Sequence, residues 1–249
     1  MKRGIYLLPS IFTSLSLFCG FYSITASIRG TMVHASWAII FAGVFDGIDG
    51  RIARLTGTTS KFGKQYDSLV DVISFGVAPA ILIYTWALQP YGRWGWLVTF
   101  LYIICTALRL ARFNMQSESI ENKYFQGLPS PASAGMIATT VIIFNSLGIP
   151  GIRNVSIPLI TCLLAMLMVS NIPYYTLKDL NVRKRRPFNA LVAFVFLLIL
   201  FLGEPETFLF VIGLIYTVSG PVGFFIAKRK KRIQEQALLE NNHYNNMTT

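Results

Sequence analysis

The sequence predicts an all-α protein, a polytopic bundle of membrane-spanning helices, and three observations support this fold class. Of the 249 residues, 53% are hydrophobic and only 13% are charged, whereas soluble domains are about 25% charged. The mean hydropathy is +0.54. The apolar residues form runs of roughly 16–22, long enough for helices that cross a ~30 Å hydrocarbon core. This composition excludes an ordinary soluble domain, a collagen-like chain and a disordered chain.

Eight apolar runs are separated by turn residues such as Pro90, Pro150 and Pro205. We predict spans at residues 8–28, 33–54, 63–88, 95–113, 132–147, 155–174, 188–202 and 207–227. Residues 1–180 would form a six-helix membrane core, and residues 181–227 would add two transmembrane helices. Residues 228–249 are basic and then rich in asparagine, so we expect a disordered cytoplasmic tail.

The net charge of +11 does not indicate a nucleic-acid partner, because the basic residues cluster at the ends of apolar runs. With the N-terminus in the cytoplasm, 19 of the 22 Lys and Arg residues lie on the cytoplasmic side. The three exceptions are Arg29, Arg93 and Arg153. We therefore expect a multi-pass protein of the cell inner membrane with both termini in the cytoplasm.

Four of the five aspartates lie within 26 residues, at the predicted cytoplasmic ends of the second and third spans. At about 100° per residue, Asp46 and Asp49 fall on one face of a helix. Asp67 and Asp71 likewise share one face of the next helix. Two antiparallel neighbouring helices can therefore direct all four carboxylates into one cleft.

Carboxylates inside a membrane segment cost several kcal/mol unless they are paired, hydrated or bound to a metal. Interfacial salt bridges to nearby Arg and Lys residues would explain one such aspartate better than four in register. Dense oxygen ligands suit Mg²⁺ or Mn²⁺, and two ions about 3.5–4 Å apart suit phosphoryl transfer. The pattern therefore predicts a divalent-metal site with two ions.

The same residues form a motif with fixed spacing. It consists of Asp46-Gly-Ile-Asp49-Gly50-Arg-Ile-Ala53-Arg54, eight residues, Gly63, three residues, Asp67, three residues and Asp71. This resembles the signature of the CDP-alcohol phosphotransferase family at every fixed position. The resemblance implies a six-helix membrane core, commonly dimeric, with the active site at the cytoplasmic interface. It also implies transfer of a phosphatidyl or similar group from a CDP-linked donor to an alcohol, with release of CMP.

The resemblance further implies a role for each motif residue. Asp46, Asp49 and Asp67 would be metal ligands, and Asp71 would bind the second ion and act as the general base. The arginine of the motif would donate charge-assisted hydrogen bonds to phosphate. The residues implied to hold the head of CDP-diacylglycerol are Gly50, Arg54, Ser60 and Gly63.

The segments at 67–80 and 107–114 resemble those of serine-using bacterial and archaeal members of the family. The expected acceptor is therefore L-serine, which needs a partner for its carboxylate. Arg109 and Arg112 lie at the predicted inner end of the fourth span. We expect one of them to pair with the serine carboxylate or the donor phosphate, while anchoring at the membrane surface is an equal explanation for each arginine alone.

Three alternatives remain at this stage. A sibling enzyme would use glycerol phosphate or inositol phosphate as acceptor, which the shared signature does not distinguish. A membrane prenyltransferase also binds diphosphate through aspartates, but on helices far apart in the sequence. A divalent-cation transporter would carry its acids near the bilayer midplane, whereas these lie at one end.

Overall fold

The computed structural model describes residues 7–57, 60–116, 124–149, 151, 155–175 and 187–247, and most of these residues are helical. In chain order the α-helices are α1 (Leu7–Ile28), α2 (Met32–Thr56), α3 (Lys61–Asp71), α4 (Ala78–Ile83), α5 (Arg93–Gln116), α6 (Ser130–Ser146), α7 (Ser156–Val169), α8 (Pro187–Gly203) and α9 (Pro205–Met247).

The predicted all-α membrane fold is confirmed, and a helix or a run of helices lies at each of the eight predicted spans. Among the described residues, five helical segments are long and apolar enough to cross a membrane: Pro9–Ile28, Met32–Ala53, Phe62–Tyr91, Arg93–Met115 and Pro205–Phe224. Helices α6, α7 and α8 have 17, 14 and 17 residues. They are therefore shorter than the ~20 residues of a typical span.

The third span is one continuous helical rod with two irregular sections. Wider π-helical turns occupy Val72–Val77 and Tyr84–Leu88, on either side of α4. Pro79, at the start of α4, cannot donate a backbone hydrogen bond, and its ring excludes the usual contact with the preceding turn. We attribute the first π-helical section to this proline, because such turns absorb the missing bond.

Helices α1 and α2 form an antiparallel hairpin that turns at Gly30, whose φ of 80° suits glycine. The face of α1 toward the bundle is small and polar. Ser16 Oγ donates to the carbonyl of Ala42 at 3.1 Å, and Ser74 Oγ donates to the carbonyl of Ser16 at 3.1 Å. Gly20 lies directly against Ser74, so any larger residue would separate the helices. This close packing places the ends of α1, α2 and α3 together.

A two-stranded antiparallel sheet, which the sequence analysis does not predict, joins two connections of the bundle. Strand β1 (Tyr124–Gln126) pairs with β2 (Pro173–Tyr175), with Phe125 opposite Tyr174. Strands of three residues are too short to show the alternating pattern from which strands are predicted. The sheet ties the entry of α6 to the exit of α7.

The expectation of a disordered tail at residues 228–249 differs from the structure, in which α9 continues to Met247. Residues 228–247 contain neither proline nor glycine, and their Lys, Arg, Glu, Gln, Ala and Leu residues favour helix. The low hydrophobicity that suggests disorder is thus compatible with a helix that extends beyond the membrane segment.

Candidate active site

The four motif aspartates come together where α2 meets α3. One carboxylate oxygen from each of Asp46, Asp49 and Asp67 lies within 4.8 Å of the other two. Asp71 is hydrogen-bonded to Asp46 through the side chains. We call these four residues the acid cluster. Carboxylates this close repel one another unless a proton or a cation lies between them, so the cluster favours a bound cation.

The acid cluster contains oxygen atoms without hydrogen-bond partners. Oδ1 of Asp67 and Oδ1 of Asp71 are both buried, and neither has a partner among the described residues. An unsatisfied buried carboxylate oxygen costs free energy that a cation would recover. Clustered carboxylate oxygens are the donors that Mg²⁺ and Mn²⁺ prefer, so the residues present fit a divalent ion.

Asp49 is the most enclosed member of the cluster and has a hydroxyl partner on α1. Its side chain is only 5% exposed, and Thr13 Oγ1 donates to its Oδ2 at 2.7 Å. The sequence analysis does not identify Thr13 as a site residue. A signal for it exists in hindsight, because Thr13 continues the row of small polar residues that α1 turns toward the bundle, Ser16, Ser23 and Ser27.

Ser60 and Gly63, two of the residues expected to hold the donor, form the first turn of α3. Ser60 is the N-cap, and its Oγ accepts a hydrogen bond from the backbone N–H of Gly63 at 2.9 Å. Gly50 is half-buried and follows Asp49 directly. Arg54 belongs to α2, but its side chain lies outside the described part of the structure. The cap formed by Ser60 therefore stabilises the start of the helix that carries Asp67 and Asp71.

Arg109 on α5 faces the acid cluster. It is 8% exposed and interacts electrostatically with Asp71. Its Nη1 donates to Ser130 Oγ at 2.9 Å, while its buried Nε has no partner among the described residues. A guanidinium group has five N–H donors, so this arginine retains capacity for a further anionic partner.

Arg112 lies one turn further along α5, and its hydrogen bonds go elsewhere. Its Nη1 donates to the carbonyl of Val169 at 3.0 Å and to Oδ1 of Asn171 at 3.1 Å. Val169 is the last residue of α7, where backbone carbonyls lack helical partners. The structure thus brings Arg109 to the acid cluster and directs Arg112 to the end of α7.

Two further hydrogen bonds hold α3 against its neighbours. Nδ2 of Asn114 on α5 donates to Oγ of Ser68 at 2.9 Å, and the hydroxyl groups of Ser14 and Tyr66 lie 3.0 Å apart. Ser68 is the residue after Asp67, so these contacts fix the face of α3 that presents the acids. The site combines a carboxylate cluster, a facing guanidinium group and a rigid polar frame.

Residues 6–165 match the family model of the CDP-alcohol phosphatidyltransferases. This match covers well over half of the chain and includes the whole acid cluster, Arg109 and Arg112. The chain belongs to the CDP-alcohol phosphatidyltransferase family. Helices α8 and α9 lie beyond the matched residues.

Several relatives in this family share substantial identity with the chain. A CDP-diacylglycerol–serine O-phosphatidyltransferase of Helicobacter pylori is 40% identical over 178 residues, which are 71% of this chain and 75% of the relative. An archaetidylserine synthase of Methanothermobacter thermautotrophicus is 40% identical over 169 residues, 67% of this chain and 69% of the relative. A Saccharomyces cerevisiae CDP-diacylglycerol–serine O-phosphatidyltransferase is 34% identical over 151 residues, 55% and 54% of the two chains.

Proposed function

We propose that this chain transfers the phosphatidyl group of CDP-diacylglycerol to the hydroxyl of L-serine, giving phosphatidylserine and CMP. The observation that carries the proposal is the convergence of four carboxylates from two neighbouring membrane helices in a member of this family. The choice of serine is supported by the relatives, whose names specify a serine product or substrate.

We propose that the acid cluster binds two divalent ions, Mg²⁺ or Mn²⁺. Asp46, Asp49 and Asp67 would hold one ion, and Asp71 would contribute to the second. The partnerless buried oxygens of Asp67 and Asp71 support this assignment. Bound divalent ions would offset the negative charge of the donor diphosphate, which otherwise repels an attacking oxygen.

Asp71 is the proposed general base. Its Oδ1 is free of hydrogen bonds among the described residues and can accept the proton of the serine hydroxyl. The serine oxygen then forms a bond to the phosphorus nearer the diacylglycerol, while the bond from that phosphorus to the bridging oxygen breaks and CMP leaves. A carboxylate is a weak base for a hydroxyl, so positioning of the reactants must supply much of the acceleration.

Arg109 is the arginine that we propose for substrate binding. It faces Asp71 and has an unused donor, whereas the described bonds of Arg112 hold the end of α7. Its partner would be the serine carboxylate or a phosphate of the donor. The donor head would also contact Gly50 and Arg54 on α2. At the start of α3 it would contact Ser60 and Gly63.

We propose that the acid cluster faces the cytoplasm from the cell inner membrane, that both termini are cytoplasmic, and that the chain acts as a homodimer. The orientation is supported by the distribution of Lys and Arg, 19 of 22 on the cytoplasmic side. The dimer is supported by the resemblance of the motif to a commonly dimeric family.

The direct test compares acceptors. Purified protein would be given CDP-diacylglycerol with L-serine, glycerol phosphate or inositol phosphate, and CMP release would be measured for each. We expect release that depends on L-serine and a lipid product that contains serine. Release that requires one of the other two acceptors would overturn the serine assignment and retain the family reaction. Absence of CMP release with all three acceptors would contradict the proposed transfer.

A further inference from the structure

Ser130 is the hydrogen-bond partner of Arg109, the arginine that we propose for substrate binding. Nη1 of Arg109 donates to Oγ of Ser130 at 2.9 Å, across 21 positions of sequence. Ser130 is completely buried and Arg109 is only 8% exposed, so this hydrogen bond is shielded from water. A hydrogen bond in such surroundings is stronger than one at the surface. It joins α5 firmly to the first residue of α6.

The hydrogen bond to Ser130 leaves one edge of the guanidinium group of Arg109 unused. The Nε and Nη2 atoms of an arginine present two parallel N–H donors along one edge, which match two oxygens of a carboxylate or a phosphate. Nε of Arg109 is buried and has no partner among the described residues, and none of the described hydrogen bonds uses Nη2. With Nη1 held by Ser130, this edge is available for an oxyanion.

Backbone contacts set the position of the first residue of α6. Gly127 precedes this helix with a φ of 80°, and its N–H donates to the carbonyl of Ile172 at 2.9 Å. A Cβ at Gly127 would overlap the carbonyl of Met168, so only glycine permits this approach. The N–H of Leu128 then donates to the carbonyl of Leu167 at 3.0 Å. The segment that enters α6 is thus bonded to the end of α7.

The first turn of α6 completes the support of Ser130. Pro129 has an extended ψ of 137°, and its carbonyl accepts a hydrogen bond from the N–H of Ser133 at 3.0 Å. The short side chain of Ser130 therefore stands on a fixed backbone and has only three staggered positions. Arg109 has a long side chain with many rotamers, and a bond to a fixed hydroxyl restricts them.

We propose that Ser130 is a positioning residue, which holds Nη1 of Arg109 so that the Nε–Nη2 edge binds an oxyanion of a substrate. The oxyanion is the carboxylate of the acceptor amino acid or a phosphate of the donor. This inference rests on the proposed function, because Ser130 acts through the arginine that is assigned to substrate binding there. Ser130 itself needs no contact with the reacting atoms.

The test is a double-mutant cycle with Ser130→Ala and Arg109→Lys, in the full chain. Ser130→Ala removes the acceptor of the Nη1 bond, whereas Arg109→Lys keeps the charge and removes the planar guanidinium group. The matched control is Thr140→Val, because Thr140 is a buried residue of α6 whose hydroxyl donates to the carbonyl of Met136 in the same helix at 2.7 Å. For each variant, kcat and the KM values for CDP-diacylglycerol and L-serine would be measured together with the thermal unfolding midpoint.

We expect Ser130→Ala to raise one KM about fivefold, that of the substrate whose KM is also raised by Arg109→Lys. A raised KM for L-serine identifies the oxyanion as the carboxylate, and a raised KM for CDP-diacylglycerol identifies it as the phosphate. In the Arg109→Lys background, Ser130→Ala should change that KM less than twofold, because the group that Ser130 holds is absent. Thr140→Val should leave both KM values unchanged.

Equal effects of Ser130→Ala in both backgrounds would overturn the proposal, as would a lowered unfolding midpoint with unchanged KM values. If Ser130→Ala does not fold, Ser130→Cys replaces it in the cycle, since a thiol is similar in shape and a weak acceptor. The same rise in KM is then expected, and unchanged KM values would again overturn the proposal.

The wild-type reaction separates this result from the proposed function. If wild-type protein releases CMP with another acceptor, serine transfer fails while the cycle is still measured with that acceptor. If wild-type protein uses serine and Arg109→Lys changes neither KM, the assignment of Arg109 to substrate binding fails, and the role of Ser130 fails with it. If Arg109→Lys raises a KM and the cycle is additive, only the role of Ser130 fails.

Discussion

Two arginines one turn apart on α5 belong to regions with opposite hydrogen-bonding states. Arg112, Val169 and Asn171 form what we call the α7 junction, in which the described bonds of the guanidinium group meet carbonyl acceptors. Arg109 and the acid cluster instead contain three buried polar atoms without described partners: Nε of Arg109, Oδ1 of Asp67 and Oδ1 of Asp71. Residue type and position along the helix are nearly the same, so the difference arises from the surroundings.

This contrast distinguishes polar residues that stabilise the bundle from polar residues that are arranged to bind a ligand. Buried polar groups in a folded protein are nearly always paired, because an unpaired one costs free energy. A junction with its hydrogen bonds made stabilises the bundle. A cluster whose buried oxygens lack described partners, and which faces a guanidinium group with an unpaired Nε, is organised to bind a ligand. The following predictions test that distinction, from the largest expected effect to the smallest.

The largest effect is expected for Asp71→Asn. Removing the proposed base should lower kcat by about 10²–10⁴-fold while binding of CDP-diacylglycerol is retained. The measurement is the rate of CMP release together with donor binding by equilibrium titration. The matched control is Glu204→Gln, which removes the charge of an exposed carboxylate outside the acid cluster and should leave kcat unchanged. Normal turnover by Asp71→Asn would remove the assignment of the base.

Substitution of Arg109 should impair catalysis, whereas substitution of Arg112 should impair stability. Arg109→Ala is expected to lower kcat/KM by about 10–100-fold, the value of one or two hydrogen bonds to a charged group. Arg112→Ala should mainly lower the thermal unfolding midpoint, because it frees the end of α7. Kinetic assays and thermal melts of both variants make the comparison. A serine KM that is unchanged in Arg109→Ala and raised in Arg112→Ala would reverse our assignment.

A smaller effect is expected at the edge of the acid cluster. Thr13→Val keeps the shape of the side chain and removes the hydroxyl bonded to Asp49, so divalent-metal affinity should fall by about tenfold. Thr25→Val is the control on the same helix, since Thr25 bonds only a carbonyl of its own turn in the described structure. Metal titration of the activity compares them. Equal metal dependence of the two variants would show that Thr13 does not tune the site.

The smallest effect concerns the cap of α3. Ser60→Ala should lower the free energy of unfolding by about 1 kcal/mol, because the N–H of Gly63 loses its acceptor. Ser60→Asp restores a capping side chain and should recover the stability. If Ser60 also contacts the donor, both variants will share a raised KM for CDP-diacylglycerol. If the KM for CDP-diacylglycerol rises in Ser60→Ala and returns to the wild-type value in Ser60→Asp, Ser60 acts only as the cap of α3.

The sequence is sufficient to predict the membrane fold, because runs of apolar residues and their flanking charges are local properties. It is also sufficient to predict that Asp46 and Asp49 on one helix meet Asp67 on the next, since helical periodicity defines both faces. The π-helical section at Val72–Val77 depends on how one proline is accommodated, which no local pattern specifies. The different hydrogen-bond partners of Arg109 and Arg112 depend on where α6 begins and where α7 ends.

The remaining features that the sequence does not predict are contacts between distant segments. Thr13 reaches Asp49 across 36 positions of sequence, and Tyr174 reaches Thr217 across 43. Each of these residues is an ordinary polar or aromatic side chain in its own segment. Only the packing of α1 on α2 and of α9 on β2 brings the members of each pair together.

The most direct test of the account is a titration of purified protein with Mn²⁺, followed by electron paramagnetic resonance. We predict two bound ions per chain in the wild-type protein, at least tenfold weaker binding in Asp67→Asn, and wild-type binding in Glu204→Gln. Equal Mn²⁺ binding by wild-type protein and Asp67→Asn would contradict the claim that these carboxylates hold divalent ions.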